Sequence, residues 1–337
     1  MFFEVRTFAG TIEFSGNESD IEASPGNGPA DQAILFLPFG IAVTPSGVVH
    51  VTEPFFNGLR KIENGVVSTV TSRRRGAEDG PLSQSSFGGP TGVVSDAAGN
   101  LYIADQSNHR IRKIDPSGTV TTVAGPSGSE RASGWVDDIG TEARFSRPRA
   151  IALNAADKSL YVSEHDRIRN IPLALVPGRG TMEVRTVAAV GLKGFADGPP
   201  LLAQFDLPLG LAVAQNGDIF VADANNRRIR RVTPRGQVTT VAGDGTPPQP
   251  TDATEFAKGV PALQARFQRP SGIAVDPTGM VWISDDKHLR MYDPGANTVP
   301  PHVPIGKANT PSRSGGPPAL RCRARTSSWS IRAGSCS

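Results

Sequence analysis

The stretch PTGVVSDAAGNLYIADQSNHRIRKIDPSGTVTTVAG, Pro90–Gly125, decides the fold, because the same pattern returns along the chain. A second copy, PLGLAVAQNGDIFVADANNRRIRRVTPRGQVTTVAGDG, occupies Pro208–Gly245. A third occupies Pro270–Pro294, and weaker copies run Pro38–Ser72 and Pro148–Pro172. The second residue after each opening proline falls at 40, 92, 150, 210 and 272, a period of 52 to 62. In the second copy, period-2 alternation marks four strands, Leu209–Val213, Ile219–Ala222, Ile229–Val232 and Val238–Ala242. The joints are Asn216-Gly217, Asn225-Asn226 and Pro234-Arg235-Gly236, all residue types that form turns. Four short strands per unit, radially repeated, predict an all-β fold: a β-propeller of four-stranded blades. Five units are visible, and a damaged sixth is the competing count.

The ends are read from the same pattern. EVRTFAG near the N-terminus matches EVRTVAAVG at Glu183–Gly191, so a strand over 5–9 offers to close the last blade. The propeller is therefore assigned to 1–299. Residues 300–337 share no periodicity with it and are rich in Pro, Ser and Arg, a composition that buries too little to order itself. This segment reads as a disordered basic tail or a sequence artefact. The formal charge of +3 belongs to it: from Gly295 onward there are six Lys or Arg and no acid, leaving the first 294 residues at −3. Bulk charge thus gives no case for a nucleic-acid surface. Both cysteines, Cys322 and Cys336, also lie in the tail, so the body is not a disulfide scaffold. The N-terminus shows no apolar signal-peptide core and no run of 18 apolar residues exists, so no membrane partner is expected and the compartment stays open.

The run Asp105-x-x-Asn108-His109-Arg110-Ile111-Arg112, with its near copy Asp223-x-x-Asn226-Arg227-Arg228-Ile229-Arg230, resembles the signature of NHL repeats. Between units a linker of the form DGxxxxAxFxxP recurs at Asp197–Pro208, at Asp137–Pro148 with Asp138 in the Gly place and at Asp79–Pro90 with Ser85 in the Ala place, with a looser version at Gly259–Pro270. The resemblance covers about Phe2 to Pro294 and implies an NHL-type propeller, usually six-bladed. It implies little about function, since one propeller fold hosts many roles.

Each unit ends its second strand on a carboxylate: Glu53, Asp105, Glu164, Asp223 and Asp285. Propeller geometry sets these around one rim, on the face that carries the linkers. Lactonase- and esterase-type propellers hold a divalent cation with such acids, so one cation such as calcium is the alternative cofactor; none is the favoured expectation. An arginine follows five residues on at Arg110, Arg169, Arg228 and Arg290, and seven on at Arg60. A feature copied in every blade reads as architecture, an acid–arginine pair locking the turn. His109, His165 and His288 sit in turns after second strands, but at unequal offsets, which argues against a zinc site. No nucleophile motif or P-loop is present, and no catalytic residue is assigned.

Function is sought where the repeat is broken, because loops carry function on a rigid scaffold. Arg73-Arg74-Arg75 and the insertion Pro126–Trp135 break it on the linker face. An arginine cluster and Trp135 are the residue types of binding hot spots. The expectation is a non-catalytic scaffold taking a protein or peptide partner on that face. A metal-dependent lactonase- or lyase-like hydrolase is the first alternative. An RNA-binding NHL domain is the second, disfavoured by the acidic body.

Overall fold

The computed structural model describes residues 26–177, 182–189, 191–249 and 259–300, together with the backbone of 303–304. Among these, five antiparallel sheets of four or five strands follow one another in chain order, and one two-stranded pair joins Val260–Pro261 to Thr298–Val299 beside the last. The fourth is representative: Pro208–Val213 lies innermost, then Ile219–Asp223 and Arg228–Val232, with Val238–Ala242 outermost. Each inner strand packs on the inner strand of the next sheet, which is the arrangement of a five-bladed β-propeller. No helix is long and apolar enough to cross a membrane among the described residues.

Alternation along the strands sends one set of side chains into each gap between blades. The gap between blades 3 and 4 holds Tyr161, Ile168, Phe205, Leu211, Val221 and Val238. In these layers Ile103, Val123, Val221 and Ile283 are buried, and Val241 and Val275 are half-buried at the cluster edge. Each of the four linkers between blades contributes one fully buried phenylalanine, Phe87, Phe145, Phe205 or Phe267. Burying such a side chain stabilises by roughly 1.5–3 kcal/mol.

Towards the axis the backbones of neighbouring inner strands come close at the inner-strand glycines of blades 2 and 4. A Cβ on Gly210 would lie 2.1 Å from the carbonyl oxygen of Ser271 in blade 5, and one on Gly92 would lie 2.6 Å from that of Arg149 in blade 3. Hydroxyls stitch the same seam: Thr91 Oγ1 donates to the carbonyl of Arg149 at 2.9 Å.

The outer edge of the last blade is built from short pairings. Thr298–Val299 pairs with Val260–Pro261, and Val303–Pro304 pairs with His288 and Leu289. Thr298–Val299 and the backbone of Val303–Pro304 thus lie beside the third strand. The proposed closing strand at 5–9 lies outside the described residues.

On the face opposite the linkers, aspartates build the turns between first and second strands. Asp276 accepts bonds from Thr278 N (2.8 Å), Thr278 Oγ1 (2.6 Å), Met280 N (3.1 Å) and Trp282 Nε1 (3.0 Å). Burial pushes this carboxyl up, but the four donors more than reverse the effect, and it sits below the ordinary 3.8. A depressed folded value contributes stability above pH 3.8 that is lost as pH falls through the folded value. Asp276→Asn should therefore cost about 1 kcal/mol at pH 6, as hydrogen bonds to a charged acceptor weaken. Denaturant melts at stepwise lower pH should show the two proteins converging; a constant gap down to pH 2 would contradict this account.

Candidate functional site

The five rim carboxylates are buried, and each is engaged on both sides. One side takes the backbone of the linker: Gly88 N donates to Asp105 at 2.7 Å, Phe36 N to Glu53 at 2.6 Å, and Asp206 N to Asp223 at 2.9 Å. Ser146 N does the same for Glu164, and Gln268 N and Arg269 N for Asp285. The other side takes a buried arginine: Glu53–Arg60 at 3.2 Å, Asp105–Arg112 at 3.0 Å, Glu164–Arg169 at 2.6 Å, Asp223–Arg230 at 2.8 Å and Asp285–Arg290 at 3.6 Å. In blades 2 and 4 the partner is seven residues on, not the five expected. Arg110 and Arg228 instead reach linker carbonyls, those of Glu130 and Asp244.

Each lock arginine does more than neutralise the rim acid. Arg230 also meets Asp197 at 2.7 Å and the carbonyls of Gln204 and Ala196, and lies 5.1 Å over the Phe205 ring. Asp197 in turn accepts from Thr240 N and Oγ1 of the outer strand. Asp79 and Asp137 repeat this role in blades 2 and 3. In blade 1 the role falls to Asn27, which bonds Arg60 and Thr69; Asn27–Pro38 is a linker copy that sequence comparison overlooked. Gly259 stands at that position in blade 5. Burial pushes Asp105, Glu164, Asp223 and Asp285 up, Asp223 to about 6 and Glu164 to about 7, against the downward pull of the arginine and amide donors.

The three histidines are not brought together. His109 Nδ1 accepts the backbone N–H of Arg147 at 3.1 Å, His165 lies against Trp135 with ring centroids 6.5 Å apart, and His288 opens the third strand of blade 5. Among the described residues no three His, Cys, Asp or Glu side chains come together as a metal-holding group.

The repeat-breaking residues separate into two places. In the linker after blade 1, Arg74 and Arg75 are exposed, and the Arg73 guanidinium lies 4.0 Å from the centroid of Phe56 and 4.0 Å from Glu53. Phe56 belongs to a three-ring cluster with Phe36 and Phe55, centroids 5.2–5.3 Å apart. Phe55 is 64% exposed. The sequence carried a signal for this cluster: Phe55-Phe56 stands in the loop where blades 2 and 4 carry Ser107-Asn108 and Asn225-Asn226. Trp135 lies elsewhere, on blade 3, half-exposed and capped by Arg167 at 5.0 Å. That stack recurs as Arg228 over Phe195 in blade 4, so Trp135 occupies a repeated packing position.

The NHL repeat model matches residues 87–114 and 205–231. The chain contains NHL repeats. Each match opens on a buried linker phenylalanine and includes the rim acid and its lock arginine, so the repeat signature and the buried network coincide. The chain is 25% identical over 365 residues to human Teneurin-1, covering 83% of this chain and 13% of that protein. It therefore spans only a small part of that relative's length. An auxiliary nutrient binding protein from Bacteroides thetaiotaomicron superposes with a TM-score of 0.50 at 20% identity, covering 83% of this chain and 73% of that one. A gluconolactonase from Xanthomonas campestris gives a TM-score of 0.50 at 14% identity, covering 81% and 78%. At these identities the likeness is one of fold.

Proposed function

We propose that this NHL propeller is a non-catalytic scaffold that binds a protein or peptide partner on its linker face and needs no metal. The observation that carries this reading is where the chemistry-bearing side chains are spent. The five acids that could serve a hydrolase are each consumed by a linker amide and a buried arginine within their own blade. What the linker face offers outward is the Phe36–Phe55–Phe56 cluster beside Arg73, Arg74 and Arg75. Aromatic and arginine side chains with an exposed apolar centre fit a hot spot for a partner chain. Arg112, Arg169 and Arg230 are fully buried and cannot serve RNA phosphates.

The test has two arms on the full chain. Proteins captured by the wild type are compared with those captured by a Phe55→Ser/Arg74→Gln/Arg75→Gln variant, which should retain its melting midpoint and lose capture. The wild type is also melted in EDTA and then with calcium, zinc or manganese. A ligand at a hundred times its dissociation constant stabilises by about 2.7 kcal/mol, so a bound cation is easily seen. Unchanged capture by the variant, or a metal-dependent rise in the midpoint, would overturn the scaffold reading.

A further inference from the structure

The short turn after each second strand carries a residue in the left-handed region: Asn57 in blade 1, His109 in blade 2 and His165 in blade 3, at φ 53°, 56° and 20°. Each of these meets the N–H of the residue just before the proline that opens the next blade. Asn57 Oδ1 accepts from Gly89 N at 2.9 Å, His109 Nδ1 from Arg147 N at 3.1 Å, and the His165 carbonyl from Leu207 N at 3.3 Å. One hydrogen bond at the same place thus ties each of these blades to the next. Only between blades 2 and 3 is the acceptor a group that titrates.

The donor on that seam is under strain. Gly89 holds φ 58° freely because it has no Cβ, whereas Arg147 holds φ 53° directly before Pro148, where a non-glycine residue is driven towards extended backbone. Upstream the linker is fixed independently, since Phe145 is fully buried and Ser146 N donates to Glu164. Loss of the His109 bond would therefore act on Arg147 and stop at Ser146. An imidazole accepts at Nδ1 only while it is neutral, with its proton on Nε2. Protonated, His109 would set two N–H groups against each other across the seam. Among the described residues the charges acting on the ring come from Arg147, on the incoming linker, and Arg110, on its own strand. Farther along that strand Arg112 holds Asp105 and Asp79. Burial first, then the two cations, push the imidazole below its ordinary 6.5. The folded value lies under the unfolded one, so the stabilisation is complete above pH 6.5 and is lost as pH falls through the folded value.

We propose that His109 is an acid-sensitive latch between blades 2 and 3: its neutral ring holds the Arg147 N–H, and its protonation frees Arg147 to leave the left-handed conformation. Arg147 is exposed at the linker end, so the latch makes the placement of one cation on the linker face depend on pH. It needs neither a partner nor a metal and stands apart from the scaffold reading.

The test is NMR on the isotope-labelled full chain between pH 8 and pH 5. It follows the titration of the His109 ring and the exchange of the Arg147 amide with water, relative to an unprotected amide at each pH. As His109 protonates below pH 6.5, exchange at Arg147 should quicken by about fivefold, the scale of one lost hydrogen bond. Gly89, bonded to Asn57, should stay constant over the same range. His109→Asn puts the blade 1 acceptor into blade 2, and should protect Arg147 at both ends of the range with no step between. His109→Leu should leave Arg147 unprotected throughout; where that variant does not fold, His109→Asn decides. Arg147 protection that stays constant while His109 titrates, or a step that survives in His109→Asn, would overturn the latch. A step of equal size at Gly89 would mark a general loosening in acid and would overturn it as well.

Discussion

Arg230→Met should destabilise the propeller by about 3–5 kcal/mol, the scale for removing one partner of a buried ion pair. The substitution keeps much of the volume between Phe195 and Phe205 and removes the charge. It leaves Asp223 fully buried with its bonds from Asp206 N and Asn226 but without the cation at 2.8 Å. Burial already holds that carboxyl at about 6, and the arginine is one of the forces keeping it from rising further. The carbonyls of Gln204 and Ala196 lose a donor as well. Asp197 suffers less, because its side chain is partly exposed and water can replace the lost contact. A urea titration should show a lower midpoint with an unchanged slope. A loss below about 1 kcal/mol would falsify the view that these locks hold linker to blade.

Gly210→Val should cost about 3 kcal/mol, the upper end for overpacking, because what it meets is backbone. The added Cβ would fall 2.1 Å from Ser271 O and 3.2 Å from the nitrogen of Ile273. A flexible side chain could swing away; a paired strand of the neighbouring blade cannot. Gly210→Ala should be milder, since blade 3 carries Ala150 at the same place. Thermal melts of the two variants decide the point. Valine tolerated as well as glycine would mean that blades 4 and 5 are not in backbone contact at the axis.

Both predictions concern residues whose importance was legible in the sequence to different degrees. The recurrence of acid and arginine in every unit was visible, and so was the Pro-x-Gly that opens most inner strands. Which arginine meets the acid was not. Counting from the acid fails because the intervening loop is two residues longer in blades 1, 2 and 4 than in blades 3 and 5. Register succeeds: Arg60, Arg112, Arg169, Arg230 and Arg290 each stand opposite the residue two before the acid. Arg110 and Arg228 are the directly facing residues, at the end of the sheet, where their side chains run outward to the linkers.

Trp135 teaches the same lesson in reverse. As part of an insertion it looked like a departure from the repeat, yet it shares its place with Phe195, two residues before the linker aspartate. Phe55 and Phe56 lay in an ordinary-length loop and attracted no notice, although they carry the exposed ring of the linker face.

The amino-acid sequence by itself determined the strands, the turns, the repeat and hence the propeller, because alternation and turn chemistry act within a few residues of the chain. Tertiary structure alone decided the rest. Phe36 joins Phe55 and Phe56, and Arg73 joins Phe56, through the packing of the linker against the blade. No local rule encodes those meetings: they follow from how the blades pack about the axis, which depends on the backbone contacts at Gly92 and Gly210 and on the buried locks at each linker.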